Sequence, residues 1–189
     1  MKILDQLTLF LKITGSHTIA RRYFVVNGFD GVLTMLGIIM GFYLSPETHT
    51  TVIISACLGA AVALTVSGLT SAYISEAAER QNSLRQLEQA MVADLGDSAH
   101  GKAARLIPVL IALVNGLAPL LLSLLIISPL WFTDYLPLSP LPIAIVLALV
   151  AVFFLGVFLG QVSGVFWLWS GLRTLLIALA TCGIILLLN

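Results

Sequence analysis

This sequence is poor in charge. Only 10% of its 189 residues are Asp, Glu, Lys or Arg, whereas a soluble domain carries about a quarter. A water-soluble fold is excluded, because too few polar side chains remain to cover its surface. Cysteine is nearly absent. The two present, Cys57 and Cys182, both lie inside apolar runs and read as small apolar fillers rather than a bridge or a metal pair. No basic excess exists. Nine Lys and Arg balance nine Asp and Glu, which argues against a nucleic-acid partner. The 15 glycines follow no period, so a collagenous chain is out. Catalytic signatures are missing too. There is no HExxH, no GxSxG and no Ser–Lys arrangement within an apolar run, and His17, His49 and His100 are scattered outside those runs, so no enzyme is expected.

What is there is apolar surface. Hydrophobic residues make up 59% of the chain and the mean hydropathy is +1.07. A membrane helix needs about 20 mostly apolar residues, and five runs qualify: 24–44, 51–73, 106–128, 143–162 and 172–188. The expectation is an all-α integral membrane protein with five transmembrane helices. It is organised as an N-terminal amphipathic helix (1–23), spans one and two (24–73), a helical insert (74–105), and spans three to five (106–189). The first 22 residues do not read as a signal peptide, because Asp5, Gln6 and Lys12 interrupt the apolar run and no small-residue cleavage site follows. Ile3, Leu4, Leu7, Phe10 and Leu11 fall at helical spacing, as in a helix lying on the membrane surface.

Five spans put the termini on opposite sides. All nine Lys and Arg fall on one of them, in the N-terminal segment, the insert and the turn before span five. The other side offers Glu47, His49 and Asp134. Basic residues stay cytoplasmic, so the N-terminus is predicted inside and the C-terminus outside. Trp131 and Tyr135 fall at the outer boundary, and Tyr23, Trp167 and Trp169 near the inner one.

Span two leaves the membrane without a break. Residues 75–95 switch from apolar to charged with no Gly or Pro, so one helix over 51–95 would measure about 67 Å, half of it projecting into the cytosol. Leu84, Leu87, Met91 and Leu95 form an apolar stripe that wants a partner. Gly96 is expected to end the helix and Asp97 or Ser98 to cap the next. Glu76 and Glu79, three apart, share a face suited to a divalent cation, with Glu88, Asp94, Asp97 and His100 as further possible ligands. The alternative is a solvated charged face, in which Glu76 pairs with Arg80 and Glu88 with Arg85.

Polar residues inside the spans carry the functional argument. Asp30 lies about 10 Å beyond Tyr23, and a carboxylate at the centre of a spanning helix costs about 2.5–3.5 kcal/mol on the insertion scale. Such residues face protein or water and are paired or functional. Asn27 is on the same face, as co-ligand or hydrogen-bond partner. The alternative is a structural ion pair between Asp30 and Arg173. In span three, Asn115 precedes Pro119, which removes a backbone hydrogen bond and makes a coordination point or a simple kink. Gly37 and Gly41, and Gly156, Gly160 and Gly164, recur at four-residue spacing and favour close helix contact.

These residues resemble a known family. The run Arg22-Tyr23-Phe24-Val25-Val26-Asn27-Gly28-Phe29-Asp30-Gly31-Val32-Leu33-Thr34, followed by Gly37 and Gly41, resembles the first span of the vacuolar iron transporter family. Ser67-Gly68 and Ala72-Tyr73-Ile74-Ser75-Glu76-Ala77-Ala78-Glu79-Arg80 resemble the span-two exit of its prokaryotic members. The resemblance implies a homodimeric transporter of ferrous iron, often also of manganese, with its path between subunits near spans one and two, and proton-driven export from the cytosol. It places Asp30 on that path and puts Glu76 and Glu79 where eukaryotic members lead into a metal-collecting domain. Well-characterised members carry a methionine and a glutamate near the inner end of span two, where Gly68 and Ala72 stand here.

Together with the polar residues inside the spans, the resemblance implies a proton-coupled homodimeric exporter of divalent metal in a prokaryotic plasma membrane. Asp30, Glu76 and Glu79 would meet the ion and Asn27 and Asn115 would supply neutral oxygen along the path. Oxygen ligands favour Mn2+, Fe2+ or Mg2+ over Cu+ or Zn2+, the resemblance implies Fe2+ or Mn2+ as substrate, and no permanently bound cofactor is expected. The competing reading is a non-transporting membrane scaffold whose cytosolic helix is a docking surface.

Overall fold

In a bilayer each backbone N–H and C=O must be satisfied within the segment, and an uninterrupted apolar run does this only as a helix. The computed structural model describes residues 16–45, 49–133 and 139–188. Within them lie five helices: α1 (Ser16–Tyr43), α2 (Thr50–Met91), α3 (Ala99–Trp131), α4 (Pro140–Ser163) and α5 (Trp167–Leu188). All five are long and apolar enough to cross a membrane, as expected of a multi-pass membrane protein. The amphipathic stretch predicted before residue 16, together with Glu47, Asp134 and Tyr135, lies outside the described residues.

Helix boundaries extend past the apolar runs. α1 starts at Ser16, so Arg21 and Arg22 are helical, and Arg22 lies 5.7 Å from the centroid of the Tyr23 ring. α5 starts at Trp167, so Arg173 sits inside the helix rather than at its head. α2 is one unbroken helix of 42 residues, as the absence of Gly and Pro from residues 75–95 predicts. It ends earlier than expected, however. The left-handed residue that closes it is Val92 (φ 51°), and Gly96 has no positive φ. Ala93 N–H donates to the Glu88 carbonyl at 3.2 Å, the long reverse bond of a Schellman ending. The side chain of Glu88 accepts from Leu95 N–H at 3.1 Å, so the turn is closed without glycine. Leu95 falls off the predicted stripe, and Met91 is exposed. Ser98 then caps α3, its Oγ accepting from Gly101 N–H at 3.2 Å. Gly101 is required there, because a Cβ would strike the carbonyl oxygens of Leu95 and Gly96.

The chain divides into two compact units. In one, the described residues are 16–24 and 66–117. Ala103, Ile107 and Ile111 form its small core, with Ile19, Ala20, Tyr23 and Leu110 packed on them. The other unit holds the described residues of 25–65 and 118–188. Its core is larger and runs through Val32, Met35, Leu36 and Ile39 of α1, Ile53 and Cys57 of α2, Ile126 and Ile127 of α3, Ala148 and Val152 of α4 and Ala178 of α5. Small residues bring α4 and α5 together. A Cβ on Gly160 would come within 2.7 Å of Ser170 Cβ, and one on Gly156 would meet Thr174. Thr174 Oγ1 lies 3.1 Å from the Val152 carbonyl and 2.9 Å from that of Gly171. Gly164 does something else: at φ 70° it supplies the left-handed turn between the two helices.

Candidate functional site

Asp30 belongs to the larger unit, and its position follows from its neighbour. Gly31 is buried against α3, where a Cβ would come within 2.7 Å of Pro119 Cα. Glycine therefore lets the two backbones touch. Gly28 faces Leu122 and Leu155 in the same contact. With Gly28 and Gly31 turned inward, Asp30 is carried to the exposed side of α1. Among the described residues no Arg, Lys or His lies within 4.0 Å of its carboxylate. The alternative pairing with Arg173 is not formed. That guanidinium lies over the Trp169 ring, 5.3 Å from its centroid. Asn27 is half-buried on the same side.

The side of α1 that carries Asp30 continues through Gly37 and Gly41, both half-buried. A Cβ added at either glycine would meet nothing within 4 Å. Asp30, Thr34, Gly37 and Gly41 follow steps of four, three and four and so share one stripe. These glycines are not used within the described chain, unlike Gly156 and Gly160.

The remaining candidates belong to the smaller unit. Asn115 is 3% exposed and donates from Nδ2 to the Gly68 carbonyl at 2.8 Å. That hydrogen bond ties α3 to α2 where Gly68 has no side chain to keep them apart. Pro119, a turn further on, supplies no N–H to the Asn115 carbonyl. Glu76 is buried, 6% exposed, and Oε2 lies 3.5 Å from the Arg80 guanidinium. The i, i+4 pair read from spacing is present, and it is mostly removed from water. Glu79, one turn along, is exposed and makes no ion pair among the described residues. The two carboxylates therefore sit in different surroundings. Glu88 is occupied by the Leu95 amide rather than by Arg85, and Asp94 Oδ1 accepts from Gly96 N–H at 2.8 Å. Among the described residues no three His, Cys, Asp or Glu side chains cluster as a ready-made metal site.

One polar group escaped the sequence reading. Ser123 of α3 is fully buried in the larger unit, and its Oγ has no hydrogen-bond partner among the described residues. The available signal was its place one turn after Pro119 in the otherwise apolar stretch 116–127.

The chain is 30% identical over 162 residues to Uncharacterized protein MJ0645 of Methanocaldococcus jannaschii, covering 84% of this chain and 83% of that protein. No family model matches the chain, and no solved structure matches it.

Proposed function

We propose that the chain, which belongs to the same family as the Methanocaldococcus jannaschii protein, is a membrane transporter of divalent metal cations of the Fe2+/Mn2+ class. It works as a homodimer in a prokaryotic plasma membrane and exports metal from the cytosol in exchange for protons. The observation that carries this reading is Asp30: a carboxylate within a spanning helix, exposed on its surface, with no basic partner among the described residues. Hydrocarbon does not tolerate that arrangement. The carboxylate has to face a second protein surface or a water path, and a passing cation supplies the charge that the chain withholds. The resemblance of residues 22–34 to the first span of the vacuolar iron transporters points the same way.

In this reading Glu79 attracts the ion at the cytosolic mouth and Asp30 binds it in the membrane, with Asn27 as neutral oxygen. Glu76 is engaged with Arg80, so its release to a metal requires the pair to open. Asn115, tied to the Gly68 carbonyl through Nδ2, would offer its Oδ1 as a second neutral oxygen.

The test is metal flux in proteoliposomes. Asp30→Asn keeps size and polarity but removes the charge, and it is expected to abolish Fe2+ and Mn2+ uptake into vesicles of the appropriate orientation. Asp30→Glu is expected to retain part of it. Flux unchanged in Asp30→Asn refutes the reading and leaves the scaffold alternative.

A further inference from the structure

The smaller unit contains a cavity of about 340 Å3. α2 contributes Tyr73, Gln81 and Leu84 to its wall and α3 contributes Ala104, Arg105 and Pro108. We propose that this cavity binds the phosphate headgroup of an anionic phospholipid.

Three observations converge. First, Arg105 is the only formally charged group among the described residues that line the cavity. Among the described residues it has no carboxylate within 4.0 Å. A guanidinium presents several N–H donors in a planar fork that matches phosphate geometry. Lys102, one turn earlier on α3, is exposed and likewise has no carboxylate within 4.0 Å among the described residues. Second, the sequence places the cavity at headgroup level. Tyr73 closes the uncharged run of α2, and Arg105 is the last charge before the uncharged run 106–128 of α3. Both helices therefore pass from charged to apolar at this cavity. Third, Tyr73 and Pro108 line it toward the apolar runs, while Arg105 and Gln81 line it toward the charged ones, with Leu84 the apolar side chain at that end. A headgroup with its acyl chains leading into the bilayer has that polarity, and a freely soluble anion does not require it. Basic pockets between spanning helices on the cytoplasmic side are suited to anionic headgroups.

The proposal rests on the membrane reading of the helices and is independent of metal transport. It is tested on the purified full chain by native mass spectrometry and thermal unfolding. The additions are phosphatidylglycerol, phosphatidylcholine or inorganic phosphate. Phosphatidylglycerol is expected to stay bound and raise Tm more than phosphatidylcholine, with no effect of inorganic phosphate. Arg105→Gln should cut the anionic preference roughly fivefold, the worth of one basic residue at an anionic surface. Arg105→Lys should keep part of it. Leu84→Trp, which fills the cavity and leaves its charge, should weaken retention of the lipid. Arg85→Gln, a basic residue outside the cavity, should change nothing. Equal loss in Arg85→Gln, or an unchanged preference in Arg105→Gln with Arg105→Lys and Leu84→Trp also silent, overturns the proposal. Protection by inorganic phosphate as strong as by lipid overturns it in favour of a soluble anion.

Discussion

At the scale of single residues, the Asp-Gly pair in α1 divides two jobs that a sequence motif fuses. Gly31 is structural: it permits contact with Pro119 that any side chain would prevent. Asp30, on the exposed side, is the group with chemistry to offer. Gly31→Ala should therefore destabilise the protein by about 1–3 kcal/mol, the range for overpacking a close contact, read as a lower unfolding temperature in detergent. Its residual flux per folded molecule should fall far less than that of Asp30→Asn. If Gly31→Ala unfolds at the same temperature as the parent, the contact with Pro119 is not limiting. The sequence made Asp30 conspicuous, since one carboxylate in an apolar run stands out. It could not show which side of α1 that carboxylate takes. The answer depends on a contact with a residue far along the chain, and local spacing carries no trace of it. The same limit applies to Glu76 and Glu79. Spacing puts them on one helix face, yet one is buried with Arg80 and the other is exposed, because the edge of the α2 contact falls between them.

At the scale of elements, the apolar runs located all five helices, since composition over some twenty residues is a robust signal. The ends were less legible. Helices continue through flanking basic and aromatic residues that no apolar run includes, as α1 does from Ser16 and α5 from Trp167. The clearest misreading is the end of α2. Glycine is the usual residue at a left-handed helix ending, so Gly96 drew the prediction and Val92 took the conformation. A β-branched residue there is a backbone outlier, held by the Ala93 and Leu95 amide bonds to Glu88. Left-handed geometry costs an L-residue about 1–2 kcal/mol, and glycine returns part of that through chain entropy. Val92→Gly is accordingly expected to slow hydrogen exchange of the amides around 88–95 and to raise stability modestly. Faster exchange in that segment would mean that Val92 makes contacts worth more than its strain. Gly164 occupies the equivalent place after α4, with Val165 N–H bonded to the Gly160 carbonyl at 3.1 Å. The fold thus uses the same ending twice, once with glycine and once without.

At the scale of the whole molecule, the distribution of charge sets the problem that assembly has to solve. Among the described residues, nearly every ionisable group lies near a helix end or in the charged half of α2. Asp30 is the exception, and it shares its stripe with Gly37 and Gly41, whose surfaces are open in the described chain. Glycine at four-residue spacing has little value facing lipid and much value facing another helix. A second copy meeting the first along this stripe would cover both glycines and bring two Asp30 carboxylates to one place. Paired carboxylates repel unless a cation or a proton sits between them, which would make the assembly and the ion site a single construction. Cysteine cross-linking in native membranes tests this directly. In a background with Cys57→Ala and Cys182→Ala, Gly37→Cys and Gly41→Cys should form covalent dimers under mild oxidation. Leu121→Cys, on an exposed position of α3, should not. Cross-linking at Gly37→Cys should change when Fe2+ or Mn2+ is added, and that response should disappear with Asp30→Asn. Monomers throughout, or dimers equally abundant with Leu121→Cys, would place Asp30 against something other than its own copy and remove the shared ion site.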